Sequence, residues 1–362
     1  MARNATNELL QKAKKSKSDE FYTQLGDIES ELQHYRNCFR GKTVYCNCDN
    51  PFNSNFFKYF ATHFNELGLK KLIASCYQEN EADLFNTQEA ASGYYCEYTS
   101  KKDGDYTPKD ISVKSFKGDG DFRSAESIAL LMQSDIVVTN PPFSLFREFV
   151  AQMVKYDKHF LIIGNVNAIT YKEVFDLIQK NKAWLGVNLG RGISGFIVPE
   201  HYNLYGKEAR INADGQRIVA TNNCLWLTNL NLNQRYEDLK LTKKYIGNET
   251  SYPQYDNCNG INVNKTQDIP KDYPGLMGVP ITFLHKYNPE QFEIIRFRKG
   301  DDGKDLRING KCPYFRILIK NKRLKTGDTS SIPNINRLAW HFNATRSKYK
   351  GTGAGIDEKR RL

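Results

Sequence analysis

Asn140-Pro141-Pro142-Phe143 is the segment of this chain best equipped for chemistry, and it follows the apolar run Ile136-Val137-Val138-Thr139 directly. Proline fixes its own φ and pushes the residue before it into extended geometry, so Asn140 is held rigidly where a strand ends. Open α/β sheets place their ligands at such carboxyl ends. The Asn140 side-chain oxygen and the Pro141 carbonyl together suit an amino group whose lone pair is delocalised into a ring, as in adenine. Two acceptors aimed at its N–H bonds favour a tetrahedral nitrogen with a localised lone pair, and they strengthen as positive charge develops there. Phe143 offers a face for stacking. In-line transfer to such a nitrogen needs no covalent intermediate on the protein. The bland alternative is a strand running into a proline-rich turn, and the βαβ context favours the chemical reading over it.

The elements that must position Asn140 are legible on both sides of it. Thr43–Cys48 reads as a buried strand closed by the turn Asp49-Asn50-Pro51, and Lys71–Tyr77 as a second strand. Ile111–Phe116 reads as a third, Asp135–Thr139 as the strand before the prolines, and His159–Ile163, Trp184–Asn188 and Cys224–Thr228 as later ones. Helical spacing falls at Asp27–Phe39, Asn55–Leu67, Ala125–Met132, Leu145–Lys155 and Tyr171–Lys180. Asn80–Lys109 is polar, is broken by Gly93 and Gly104, and reads as an excursion. Strands alternating with helices indicate a parallel sheet covered by helices. From about Leu230 the pattern turns irregular and rich in Asn, Tyr and Pro. The expected fold is therefore α/β: a Rossmann-like core followed by a C-terminal α+β module. The expected divisions are a basic arm at 1–17, the core at 18–230, the module at 231–325 and a basic tail at 326–362.

The 362 residues carry a formal net charge of +11, which favours a polyanionic partner without saying anything about fold. The surplus is concentrated at the ends. Arg3, Lys12, Lys14, Lys15 and Lys17 face only Glu8 at the start. From Asn321 to Leu362 the basic residues face only Asp328, Asp357 and Glu358. Such arms touch nucleic acid or are simply solvated. The run Lys320-Asn321-Lys322-Arg323-Leu324-Lys325 places Lys320, Lys322, Arg323 and Lys325 as candidate phosphate contacts. Within Gly192–Pro199, Phe196 is either the second face of a base pocket or a core residue.

Several classes are excluded or disfavoured. The eight cysteines form no C-x-x-C pair, so a zinc ribbon is not expected. They read as reduced thiols of a cytoplasmic protein. The start lacks the apolar core of a secretory signal, and no apolar run approaches membrane-spanning length. Gly41-Lys42-Thr43 fails as a P-loop, because Arg36 stands where its first glycine belongs. The histidines show no H-E-x-x-H, so no metal site is expected. Cytosine C5 chemistry expects Pro-Cys, whereas Cys312-Pro313 has the reverse order.

The strand followed by Asn140–Phe143 resembles motif IV of the amino-methyltransferases, and Ser18-Asp19-Glu20-Phe21-Tyr22-Thr23-Gln24 resembles their motif X. Lys70–Tyr77, Lys117–Ser124, Ser134–Arg147, Lys158–Asn167, Trp184–His201 and Gly278–Lys286 resemble the EcoRI-type DNA adenine-N6 methyltransferases. The resemblance runs from Met1 to about Lys325, and the tail departs from it. The motif order, X, then I, then IV, then a recognition region, is the gamma arrangement.

This resemblance implies S-adenosylmethionine as methyl donor, held by Phe21, Tyr22 and Thr23, with Asn140 shared between donor and base. Asp49 and Pro51 stand where the family has a D-P-F motif, although Asn53-Ser54-Asn55 replaces the usual G-x-G. Asp121-Phe122 matches the third motif, whose carboxylate accepts from the cofactor's adenine amino group; Asp119 is the rival, and either is equally a turn residue. The implied activity is transfer of methyl to N6 of an adenine flipped from double-stranded DNA, within GAATTC. It would protect that DNA from a companion restriction endonuclease, a functional rather than physical partner, with the enzyme acting as a monomer. The alternatives are an RNA or protein amide N-methyltransferase and a non-catalytic DNA-binding regulator.

Overall fold

The computed structural model describes residues 22–78, 92–99, 106–107, 110–188, 193–198, 209–212, 215–219, 223–298, 306–313 and 315–324. The chain opens with β1 (Tyr22–Thr23), α1 (Leu25–Leu32), β2 (Thr43–Cys46), α2 (Asn55–Thr62), α3 (Phe64–Leu67), β3 (Lys71–Cys76), β4 (Tyr94–Tyr98) and β5 (Val113–Ser115). It continues through α4 (Ala125–Gln133), β6 (Ile136–Thr139), α5 (Phe146–Lys155), β7 (His159–Asn165), α6 (Lys172–Gln179), β8 (Trp184–Leu185), β9 (Phe196–Val198), β10 (Ala209–Ile211), β11 (Arg217–Val219) and β12 (Cys224–Thr228). It ends with β13 (Gln254–Tyr255), β14 (Cys258–Asn262), β15 (Leu276–Pro280), β16 (Phe292–Arg298) and β17 (Arg316–Asn321).

The result is a mixed α/β architecture built on an eight-stranded sheet of order β5-β4-β3-β2-β6-β7-β12-β8. Its centre, β3-β2-β6-β7, is parallel, and β12 runs antiparallel between β7 and β8. Strand alternation decides which face each residue joins. Val44, Leu72, Ile136, Val138, Leu161 and Trp226 pack on one face with Ile28, Phe56 and Phe60 of α1 and α2. Tyr45, Ile73, Val137, Phe160 and Ile162 pack on the other with Leu130, Phe149 and Phe175 of α4, α5 and α6. The second core continues into a five-stranded sheet of order β13-β14-β15-β17-β16 through Met277, Phe292 and Ile317. Phe175 stacks on Phe297 at 5.0 Å, and the Gln179 amide donates to the Ile295 carbonyl at 2.7 Å. No helix among the described residues is long and apolar enough to cross a membrane.

Two expectations need correction. The expected excursion Asn80–Lys109 contains a strand, β4, which takes the place beside β3 and runs antiparallel to it. Only Val113–Ser115 of the expected strand Ile111–Phe116 pairs, as the sheet's edge. Tyr94-Tyr95-Cys96-Glu97-Tyr98 is rich in strand-favouring aromatics, a short signal hidden among polar residues. The second correction concerns the C-terminal region. It was expected to be α+β, but after Gln179 the described residues hold strands and short 3₁₀ turns and no α-helix. Pro253, Pro270, Pro274, Pro280 and Pro289 punctuate it, which breaks helices before they gain length.

Candidate active site

The chain leaves β2 toward β3 on one side of the sheet, while β6 pairs with β2 on the other. This is a topological switch point, and open α/β sheets bind their ligands beyond the carboxyl ends of the strands at such a point, here β2 and β6. Both motif segments end there. The register is fixed at the opposite end, where the Asp135 amide donates to the Thr43 carbonyl at 2.9 Å and Asp135 Oδ2 accepts from the Thr43 amide at 2.7 Å.

After β6, Pro141 is buried while Asn140 and Phe143 are half-buried. The Pro142 carbonyl accepts from the Leu145 amide at 3.0 Å, turning the chain through Phe143–Leu145 into α5. Phe146, the first residue of α5, is buried against Gly164 of β7, where any Cβ would lie 2.5 Å from its ring. Glycine there allows the helix start to approach the sheet and so fixes where the turn exits.

At the neighbouring strand end, Asp49 is buried. Its Oδ2 accepts from the Thr139 hydroxyl at 2.5 Å and its Oδ1 from the Ser54 hydroxyl at 2.7 Å. Desolvation pushes the carboxyl up to about 6, against the pull of those two hydroxyls. Ser54 Oγ also accepts from the Phe56 and Phe57 amides, capping α2. Thus Ser54, where a glycine motif was absent, ties the turn to the helix. Pro51 is buried beside it, and Phe52 is 56% exposed.

Motif X reaches the same place. Asn55 Nδ2 donates to the Thr23 carbonyl at 2.8 Å, pinning β1 to the start of α2. Tyr22 is half-buried and Thr23 buried. Thr23 Oγ1 has no hydrogen-bond partner among the described residues. Phe21 lies outside them. β1 pairs with β9, Thr23 opposite Phe196. The approach to β9 is clamped by α1, because Asp27 Oδ2 accepts from the Ser194 amide at 2.8 Å and Gln24 Nε2 donates to the Gly195 carbonyl at 2.9 Å.

Phe196 is fully buried, its ring 6.0 Å from Phe143 and edge-on to it. Of its two readings the structure therefore supports core packing: Phe196 backs Phe143 and has no exposed face of its own. Asp121 comes near the site through Cys48, whose thiol is pushed up by burial and by the charges of Asp49 and Asp121. Arg123 engages both oxygens of Asp121, at 2.9 and 2.7 Å, and holds its carboxyl below the usual range. Asp119 Oδ1 instead accepts from the Asp121 amide at 3.0 Å, so Asp119 shapes the turn. Tyr94 was missed from the sequence. It lies 6.3 Å from the Phe52 ring and within electrostatic reach of Tyr22 and Cys76. The expected phosphate contacts sit apart, on and after β17. Arg323 makes a two-pronged pair with Asp238 at 2.6 Å, Lys322 donates to the Pro289 carbonyl at 2.8 Å, Lys320 is half-buried, and Lys325 lies outside the described residues.

A parallel-centred α/β sheet with paired motif segments at its switch point, one ending in Asn-Pro-Pro-Phe, defines the class of amino-methyltransferases. Comparison with known proteins makes this specific. The family model "Adenine-specific methyltransferase EcoRI" matches residues 9–322, and the chain belongs to that family; it is a DNA adenine methyltransferase. It is 70% identical to the type II methyltransferase M.EcoRI of Escherichia coli, over 90% of this chain and all of that protein. It is 37% identical to the type II methyltransferase M.MpnI of Mycoplasma pneumoniae, over 86% of this chain and 98% of that protein. The same identity and coverage hold for M.MgeORF184P of Mycoplasma genitalium, another type II methyltransferase. No solved structure matches the chain.

Proposed function

We propose that Asn140 and the Pro141 carbonyl accept the N6 protons of an adenine flipped out of duplex DNA, with Phe143 stacked on the base. The observation that carries this is the placement of Asn140 at the topological switch point, one residue past a buried strand. An adenine amino group inside the stack cannot reach a rigid strand end, so the base must move; extrusion costs only a few kcal/mol, part of it offset by stacking worth roughly 1–3 kcal/mol.

The methyl donor is S-adenosylmethionine, which supplies an electrophilic methyl on a sulfonium. The residues fit it. Thr23 Oγ1 is a buried polar atom with no hydrogen-bond partner among the described residues, Asp49 and Asp121 bring negative charge to the neighbouring turns, and Phe52 with Tyr94 offers aromatic surface. Tyr22, Thr23, Asp49, Pro51 and Asp121 would hold the donor, in a Rossmann-like core spanning about 18–230. The C-terminal sheet is the recognition module. The similarity to M.EcoRI supports GAATTC as the target and a companion restriction endonuclease, with the enzyme acting as a monomer.

The test is 2-aminopurine at the target adenine of a GAATTC duplex. Its fluorescence should rise on binding at that position and not at neighbouring ones, with lifetimes separating a flipped base from one re-quenched on Phe143. Phe143→Ala should slow transfer and lower the flipped population. A target adenine left stacked in the complex with a cofactor analogue refutes the reading.

A further inference from the structure

We propose that Thr139 is a positioning residue for methyl transfer, its hydroxyl holding the strand end that carries Asn140 against the carboxylate of Asp49 at the neighbouring strand end. This rests on the reading of Asn140 as the amino acceptor. Thr139 is fully buried and is the last residue of β6. The paired register of β2 and β6 reaches Tyr45 opposite Val137 and goes no further. Beyond that point the two strand ends are bridged by side chains, Thr139 Oγ1 donating to Asp49 Oδ2. Asp49 in turn accepts from Ser54, which caps α2, and the next residue, Asn55, holds the Thr23 carbonyl. One hydrogen-bonded chain thus runs from the residue before Asn140, through the β2 turn, to motif X.

A structural role alone would not need this chemistry. A buried carboxylate costs desolvation that a well-packed apolar pair would avoid. Here two hydroxyls hold one carboxylate at the switch point, where a positively charged donor would be read on one side and an amino group on the other. Among the described residues, the thiols and the second carboxyl whose charges are felt around Asp49 are each held in one state. The Cys46 and Cys48 thiols are pushed up by burial and stay neutral, while Asp121, which reaches Cys48, is held low by Arg123. Asp49 itself is raised to about 6. Removing the Thr139 donor withdraws a hydrogen bond that favours its charged form, so its titration must move to higher pH.

Thr139→Val keeps the side-chain shape and deletes the donor. We expect single-turnover transfer at pH 7 to fall roughly tenfold to a hundredfold, the range for a hydrogen bond to a charged group. Calorimetric binding of S-adenosylhomocysteine, without DNA, should show an acid limb displaced upward by about one pH unit. Thr139→Ser should restore both. Asp49→Asn should abolish the acid limb. Wild-type rate and limb in Thr139→Val, with Asn140→Ala inactive, overturn the positioning role and leave the site reading intact. An active Asn140→Ala overturns both. If Thr139→Val does not fold, Asp49→Asn decides: a wild-type acid limb in that variant overturns the proposal.

Discussion

The contact between Gly164 and Phe146 sets a sharp test of how the active-site turn is held. In Gly164→Ala the new Cβ would fall 2.5 Å from Phe146 Cζ and 2.6 Å from Cε2. Carbon contacts settle at about 3.5–4.0 Å, so the ring must retreat by about 1 Å. It has little room, because Phe146 is 2% exposed and packed in the core of α4, α5 and α6. Overpacking of this kind costs about 1–3 kcal/mol. The displaced residue is the first of α5, three beyond Phe143, so the shift is passed to the turn carrying the acceptors. A misplacement of about 1 Å can cost on the order of a hundredfold in rate. Gly164→Ala should therefore lower the midpoint of chemical denaturation modestly and slow single-turnover transfer disproportionately. Phe146→Leu in the same chain should recover part of both losses, giving a non-additive cycle. Additive effects, or a variant with wild-type rate, would refute the claim that this contact positions the turn.

Two further outcomes follow from buried polar atoms. Thr23→Val should leave stability unchanged or slightly raised, because Thr23 Oγ1 has no partner among the described residues, yet weaken S-adenosylhomocysteine binding in calorimetry. Unchanged affinity would remove Thr23 from the donor site. Asp49 has a folded-state value of about 6, above its ordinary 3.8, so the folded state holds its proton more tightly than the unfolded one. Its contribution to stability is fully present below the unfolded value and is lost as pH rises through about 6. Urea midpoints from pH 4 to 7 should fall more steeply for the wild type than for Asp49→Asn, and parallel curves would contradict the shift.

Much of the core was legible because its physics is local. The apolar run before Asn140, the double proline and the alternation of strands with helical spacing each act within a few residues, and β12 matches the expected Cys224–Thr228. What failed depended on distant partners. Tyr94–Tyr98 becomes a strand only because β3 offers it an edge. Asp49 was placed by resemblance, but its bond to Thr139 spans ninety positions and has no sequence signature. Phe196 resolved into core packing only when β1 and Phe143 were seen against it. The pairing of Arg323 with Asp238 likewise spans eighty-five positions and leaves no mark in the sequence.

The central claim is that Asn140 accepts the adenine amino group in the transition state. Its most direct test is single-turnover transfer of tritiated methyl from S-adenosylmethionine to a GAATTC duplex by Asn140→Ala, at saturating enzyme. The account predicts a loss on the order of a hundredfold or more, with the fold intact and most of the cofactor and duplex affinity retained. Transfer at the wild-type rate would contradict it.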